Sequence, residues 1–167
     1  MLNEAPTGSR PRFLLPVASS GAKSLRSESS SLSSSSLRSR FFAKGDKILV
    51  DTNIVVEMLR GNEKAKVYLE NKPYISVVTE GELICGVKNK QMLEVVKKTI
   101  DFFPVIYFDK RVSRKSTELL WKYRLSHGLE ILDSLIAATA IVGKYTLVTM
   151  NVKDFQYIEG LGLVKWE

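Results

Sequence analysis

The stretch Ile48-Leu49-Val50-Asp51-Thr52-Asn53 has the pattern of a short buried strand that ends in an acid. Its apolar run is rich in strand formers and too short for a helix, which is typical of a parallel strand covered on both faces. An ionised carboxylate near a core costs several kcal/mol unless a cation or hydrogen-bond donors compensate it. The stretch therefore predicts an α/β fold with a polar site at the end of this strand.

The chain beyond this strand alternates between short strands and helical patterns, which predicts an α/β layer fold with a mainly parallel central sheet. We expect Leu119, Leu120, Trp121 and Tyr123 to supply core bulk, and Cys85 to be a small buried residue. Further strands are predicted at 74–77, 105–108, 146–149 and 161–164, and helices at 53–60, 63–71, 79–86, 92–102, 112–125 and 132–142.

Isolated acids recur where these predicted strands end or helices begin. Glu82 follows the second strand, Asp133 opens an apolar helix, and Asp154 follows the strand at 146–149. In parallel sheets, ligands sit at the carboxyl ends of the strands, so these acids are expected to share one edge with Asp51. Each also has an ordinary explanation, because Asp51 or Asp133 can cap a helix and Glu82 can complete a capping box with Thr79.

Carboxylates grouped without histidine would suit a hard divalent ion, since Mg²⁺ and Mn²⁺ prefer carboxylate oxygens and water. The lone His127 is interpreted as a turn or helix-end residue rather than a general base. A Thr at a strand end needs no function, although Thr149 is placed to support such a site by hydrogen bonding. The sequence therefore indicates a metal site built mainly from acids.

The charge of the chain is concentrated at its beginning. The formal charge is +7, and residues 1–46 carry 7 Lys+Arg against 3 Asp+Glu, while residues 47–167 carry 18 against 15. The serine-dominated stretch 27–39 cannot bury enough apolar surface to fold, so 1–46 is predicted to be a disordered Ser/Arg-rich extension. It resembles a transit peptide, but a solvated tail, a misassigned translation start or artificially added sequence remain alternatives.

Residues 47–167 are expected to form one globular domain. No apolar run reaches the roughly 18 residues that a membrane span requires. The single Cys85 leaves no internal disulfide framework and gives no sign of an oxidising compartment. These features predict a cytoplasmic protein without a membrane segment.

Four segments in this domain together resemble the successive motifs of PIN-domain ribonucleases, especially the VapC-type toxins of toxin–antitoxin pairs. They are Asp51-Thr52-Asn53, Glu82-Leu83-Ile84-Cys85-Gly86, residues 132–140 (Leu-Asp-Ser-Leu-Ile-Ala-Ala-Thr-Ala) and residues 149–155 (Thr-Met-Asn-Val-Lys-Asp-Phe). Each motif is weak alone, but their order and spacing are specific. The resemblance implies a three-layer α/β/α PIN-like fold and an endoribonuclease that depends on Mg²⁺ or Mn²⁺.

The resemblance also implies roles for particular residues. Asp51, Glu82 and Asp133 match the principal acids of the family and are expected to be catalytic and to bind the metal. Many relatives have aspartate directly after the last central strand, where this chain has Asn151, so Asn151 and Asp154 are expected as additional ligands or supporting groups. The implied partners are RNA as substrate, a cognate antitoxin and a second copy in a homodimer.

Other functions are compatible with the same residues. A PIN-fold module that binds nucleic acid or protein without catalysis is one, because Asn151 replaces an acid. A phosphatase or a DNA-directed nuclease is another, since acids at a sheet edge serve those reactions too. The candidates for contacts to the RNA backbone are Arg60, Lys110, Arg111, Arg114 and Lys153. Each of them is also explained as a solvated surface charge.

Overall fold

The computed structural model of the chain describes residues 46–69 and 72–166. The extension predicted to be disordered, residues 1–46, therefore lies outside the described residues except for Asp46. The domain that begins at residue 47 is described almost completely, and it contains every acid of the predicted site.

Every strand pairing in the described part of the chain is parallel. One sheet has the order β1-β4-β5, a second pairs β2 with β3, and a parallel bridge between Leu49 and Tyr74 joins the two beside β1. The predicted parallel sheet is confirmed, and β5 is the predicted edge strand. The strands are β1 (Ile48–Val50), β2 (Ile75–Ser76), β3 (Val105–Ile106), β4 (Thr146–Thr149) and β5 (Gly162–Lys165).

Helices connect these strands close to the predicted positions. They are α1 (Thr52–Leu59), α2 (Glu63–Leu69), α3 (Val77–Cys85), α4 (Lys90–Ile100), α5 (Lys110–His127) and α6 (Ile131–Gly143), with a 3-10 helix at Val152–Asp154. Helix α5 ends because Gly128 adopts φ 74°, a left-handed conformation that glycine accepts without strain. None of the helices within residues 46–69 and 72–166 combines the length and apolar character needed to span a bilayer.

The central strands bury both faces, which gives the three-layer arrangement. Ile48 and Val50 of β1 point into a core formed with α1 to α4, whereas Leu49 points into a second core formed with α5 and α6. Adjacent residues of a strand face opposite sides, so three consecutive apolar residues serve two cores. The strand ends are thereby fixed by packing from both sides.

Two burial predictions were wrong. Leu119 and Tyr123 are buried and Leu120 partly so, but Trp121 is 87% exposed. At about 100° per residue, Trp121 lies some 200° around α5 from Leu119 and so faces away from the core. Cys85 is exposed because it is the last residue of α3, where the buried face of that helix has ended.

Candidate active site

Asp51 lies directly after β1 and is only 5% exposed. Its Oδ1 accepts a hydrogen bond from the Thr52 backbone N–H at 2.7 Å, which makes it the N-cap of α1. Its Oδ2 accepts from Asn53 Nδ2 at 2.8 Å and from Thr149 Oγ1 at 2.7 Å. The helix-cap and site interpretations of Asp51 are therefore compatible, because Oδ1 caps the helix and Oδ2 joins a polar network.

Thr149 ties the end of β4 to the end of β1. While donating to Asp51, its Oγ1 accepts from Asn53 Nδ2 at 3.2 Å and from the Asn151 N–H at 3.0 Å. Asn53 Oδ1 in turn accepts from the Met150 N–H at 3.1 Å. Thr149 is fully buried, and this network gives it the supporting position proposed for it. Asn53 was not predicted as a site residue, although it belongs to the Asp51-Thr52-Asn53 motif.

Glu82 reaches the same region from α3. The predicted capping box with Thr79 is wrong, because α3 begins earlier and is capped by Ser76, whose Oγ accepts from the Thr79 N–H at 3.2 Å. Instead, the Oε2 atom of Glu82 accepts a hydrogen bond from Thr52 Oγ1, at a distance of 2.5 Å. Thr52 thus connects the two acids, since its N–H donates to Asp51 and its hydroxyl donates to Glu82.

Asp133 lies in the first turn of α6 and is only 3% exposed. It is not the N-cap, a position held by Glu130 without a side-chain capping bond, but a carboxylate in the first turn is stabilised by the helix dipole. The neighbouring Ser134 hydroxyl donates to the Ile131 carbonyl and pairs with Ser116 Oγ of α5, each at 2.7 Å. These contacts fix the turn that carries Asp133.

Asn151 directly precedes the 3-10 helix after β4, and Asp154 is the last residue of that helix. Asn151 Nδ2 donates a short hydrogen bond to Asp154 Oδ2, and the Asn151 backbone N–H binds Thr149. Two bonded steps therefore join Asp154 to Thr149, the partner of Asp51. Burial and the negative charge of Asp154 raise the pKa of Tyr157.

The structure joins four of the five predicted residues through hydrogen bonds. Thr52 connects Asp51 to Glu82, and Thr149 connects Asp51 to Asn151 and so to Asp154, while Asp133 belongs to the neighbouring helix start. Across residues 46–69 and 72–166, however, no three His, Cys, Asp or Glu side chains are grouped so that they could hold a metal ion.

Basic side chains lie near the start of α5, at the same edge of the sheet. Because β3 is parallel to β2 and α5 follows it directly, α5 begins at the carboxyl ends of the strands. All five predicted rim residues are exposed. Arg60 pairs with Glu57 at 2.5 Å and Arg111 with Asp109 at 2.8 Å, so two of these cations have acidic partners.

Replacing Thr52 by valine tests the link between the two acids. Thr52 is 2% exposed, and valine keeps its volume while removing the donor to Glu82. We expect nuclease activity to fall about 10- to 100-fold, the usual effect of losing a group that orients a site carboxylate. The free energy of unfolding should fall by about 1–3 kcal/mol. Cleavage assays and denaturant titration measure the two effects.

Thr139→Val is the matched control for that experiment. Thr139 is also buried, but its hydroxyl donates to the Leu135 carbonyl within α6 and contacts none of the site acids. It should retain normal activity. Equal activities in the Thr52 and Thr139 variants would contradict a role for the Thr52 hydroxyl.

A parallel three-layer fold with acids at the carboxyl ends of its strands and cations nearby defines an α/β protein with a polar site at the edge of its sheet. Residues 48–161 match the family model of the PIN domain. The chain belongs to the PIN domain family.

Curated relatives and solved structures agree with this assignment. The chain is 34% identical over 125 residues to "Ribonuclease VapC1" of Rickettsia felis, an alignment that spans 68% of this chain and 92% of the relative. It is 34% identical over 120 residues to "Ribonuclease VapC10" of Mycobacterium tuberculosis, spanning 68% and 90%. The fold resembles VapBC2 from Rickettsia felis bound to a promoter DNA fragment, with a TM-score of 0.61, 30% identity and coverage of 72% and 98%. A toxin-antitoxin complex from Klebsiella pneumoniae gives a TM-score of 0.59 at 30% identity, covering 71% and 96%.

Proposed function

We propose that this protein is a metal-dependent endoribonuclease that acts as the toxin of a toxin–antitoxin pair. The observation that carries the proposal is the buried Asp51, which accepts three hydrogen bonds and is connected to Glu82 on one side and to Asp154 on the other. The ribonuclease names of the relatives support the choice of RNA as substrate.

The donor set suits Mg²⁺ or Mn²⁺. Asp51, Glu82, Asp133 and Asp154 supply carboxylate oxygens and Asn151 an amide oxygen, and such hard oxygens are the ligands these ions prefer. Since the described acids do not form a group of three ready to hold an ion, binding would require side chains to move. When bound, the ion would supply Lewis-acid activation of the attacking water and of the phosphodiester.

The residues of the chain have separable tasks in this reaction. Asp51 is the best-fixed ligand, because the end of β1 and three donors determine its position. Glu82 and Asp133 would complete the ligand set or orient the water. Asn53 and Thr149 hold Asp51 in place, and Asn151 positions Asp154. We propose that the cations at the start of α5 attract the RNA backbone to this acidic cleft, in the cytoplasm, where cellular RNA is available.

Removing divalent ions tests the metal requirement. We expect EDTA to abolish cleavage of structured RNA, and millimolar-range Mg²⁺ or Mn²⁺ to restore it, because water activation depends on the ion. The ion should also raise the melting temperature, since a ligand that binds only the folded state stabilises it. Asp51→Asn should show a much smaller thermal shift.

Each alternative function has its own outcome in these assays. If the protein binds RNA but shows neither cleavage nor a metal-dependent thermal shift, the inactive PIN-fold module would be favoured. Cleavage of a phosphomonoester or of single-stranded DNA in preference to RNA would favour the phosphatase or the DNA-directed nuclease. Full RNA cleavage in EDTA would contradict metal dependence while leaving the ribonuclease assignment intact.

We propose that a cognate antitoxin holds the protein inactive. The similar structures from Rickettsia felis and Klebsiella pneumoniae are toxin–antitoxin assemblies, which supports this partner. A small neighbouring gene encoding a DNA-binding protein is the expected source of the antitoxin. Its product should co-purify with this chain and suppress cleavage, and failure to do either would contradict the pairing.

We also propose a homodimer that uses an apolar groove between α5 and α6. The groove has a volume of about 760 Å³, and Trp121, Leu125 and Ile131 expose large apolar surfaces along it. Exposed apolar patches of this kind mark interaction surfaces. Arg124 and Glu130 line the same groove, so two copies related by a two-fold axis can place opposite charges against each other.

A further inference from the structure

A ring cluster connects the end of α5 to the segment after the 3-10 helix. The imidazole of His127 stacks on the ring of Tyr157, with centroids 4.1 Å apart and an interplanar angle of 19°. The ring of Tyr123 lies against both, at 5.7 Å from His127 and 5.3 Å from Tyr157. We refer to the stacked pair His127 and Tyr157 as the aromatic platform.

Hydrogen bonds hold the platform in place. Tyr123 is 5% exposed, and its hydroxyl accepts from the Glu159 N–H at 3.2 Å, which ties α5 to the segment that carries Tyr157. Ser126 Oγ lies 2.8 Å from His127 Nδ1 and further fixes the imidazole. The two rings are therefore pre-positioned and would lose little freedom on binding a ligand.

Core packing accounts for only part of this arrangement, because Tyr157 packs against the second core but His127 does not. His127 is exposed and Tyr157 only half-buried, whereas the supporting Tyr123 is buried. Tyr157 stacks on one face of the imidazole, and His127 as a whole remains exposed. The cluster thus presents a flat, rigid aromatic surface outward.

The platform lies in chain segments that adjoin those of two site acids. Tyr157 follows Asp154 by three residues in the chain, and Asp154 is connected through Asn151 and Thr149 to Asp51. His127 precedes the short loop that leads into α6, the helix whose first turn carries Asp133. Both rings therefore belong to segments that also carry site acids.

We propose that the aromatic platform binds an unpaired base of the RNA, which stacks on the exposed imidazole of His127. This inference rests on the proposed ribonuclease function and adds a base-binding site to it. Proteins that bind single-stranded RNA combine aromatic stacking surfaces with cations that contact phosphates. The exposed Lys153 lies in the 3-10 helix between the platform and β4, within reach of the adjoining backbone.

The test measures RNA binding in the full chain with Asp51→Asn, so that cleavage does not interfere. The probe is a short single-stranded RNA labelled for fluorescence anisotropy, with 2-aminopurine at successive positions to report stacking. His127→Ala should weaken binding about 5- to 100-fold, the range for loss of one stacked base, and should abolish the 2-aminopurine quenching at one position. His127→Phe retains a flat ring and should restore most of both signals.

Salt dependence and a distant aromatic residue provide the controls. His127→Ala removes stacking rather than a phosphate contact, so the salt slope of binding should not change. Phe102 is 59% exposed on the opposite layer, at the end of α4, and Phe102→Ala should leave binding unchanged. Equal losses in His127→Ala and His127→Phe would overturn the stacking role.

The outcomes also separate this inference from the proposed function. If the wild-type protein cleaves RNA and His127→Ala binds and cleaves it equally well, the proposal that the platform binds a base is wrong and the ribonuclease assignment stands. If His127→Ala weakens only antitoxin binding, the surface recognises protein and the proposal fails. If the wild-type protein neither binds nor cleaves RNA, the platform and the proposed function are both overturned.

Discussion

Asp51→Asn is expected to reduce RNA cleavage by at least about 10²- to 10³-fold, the range seen when one well-placed electrostatic group is removed from an active site. The substitution removes the charge that is expected to bind the ion. It also replaces an acceptor with a donor beside Asn53 Nδ2 and Thr149 Oγ1, which both donate to Asp51. The free energy of unfolding should therefore fall by about 1–3 kcal/mol, while the fold is retained.

Asp109→Asn is the matched control for Asp51→Asn. Asp109 is also an N-cap aspartate, and it accepts from the Val112 N–H at 2.8 Å. It pairs with Arg111 and is not connected to the Asp51 network. Asparagine caps a helix about as well as aspartate, so activity and stability should change little. Unchanged cleavage in Asp51→Asn, with circular dichroism showing an intact fold, would contradict the assignment of this acid.

Charge substitution in the α5–α6 groove is expected to have the second large effect. Trp121→Glu together with Leu125→Glu should convert the dimer into a monomer, because two exposed apolar side chains are replaced by like charges at the proposed interface. Interface hot spots contribute about 2–4 kcal/mol each, so the dissociation constant should rise at least about 30-fold. Sedimentation velocity over a range of protein concentrations measures this change.

The control pair lies on the opposite layer of the fold. Leu93→Glu and Val95→Glu alter exposed apolar residues of α4, outside the groove, and should leave the oligomeric state unchanged. A groove variant that still sediments as a dimer would place the interface elsewhere. A wild-type protein that is monomeric at all concentrations would contradict the homodimer itself.

The sequence predicted candidate acids from their positions near strand ends and helix starts, and the structure connects Asp51, Glu82 and Asp154 through hydrogen bonds. The network that holds them was less accessible. The bond between Asp51 and Thr149 spans 98 residues, and that between Thr52 and Glu82 spans 30. Local sequence patterns do not specify such partners. The local pattern offered a capping box with Thr79 as an alternative explanation of Glu82, whereas the structure gives Glu82 a partner on another helix, Thr52.

The fold was predictable where apolar runs are unambiguous, as in β1 and α6. Exposure was not predictable where the apolar pattern continues around a helix, and Trp121 is the clearest case. In isolation, a tryptophan next to Leu119 and Leu120 is a reasonable core residue, but helix geometry points it outward. The exposed Trp121 lines the α5–α6 groove, where we propose that it packs in a dimer interface rather than in the core.

The bond between Thr149 and Asp51 has a consequence for how the protein is made. A ribosome synthesises Asp51 long before Thr149, and the two meet only when β4 pairs with β1 across almost the whole domain. Contacts between residues so distant in sequence form late, after loop closure has been completed. A nascent chain therefore cannot form the bond between Asp51 and Thr149 until β4 has been synthesised and has paired with β1.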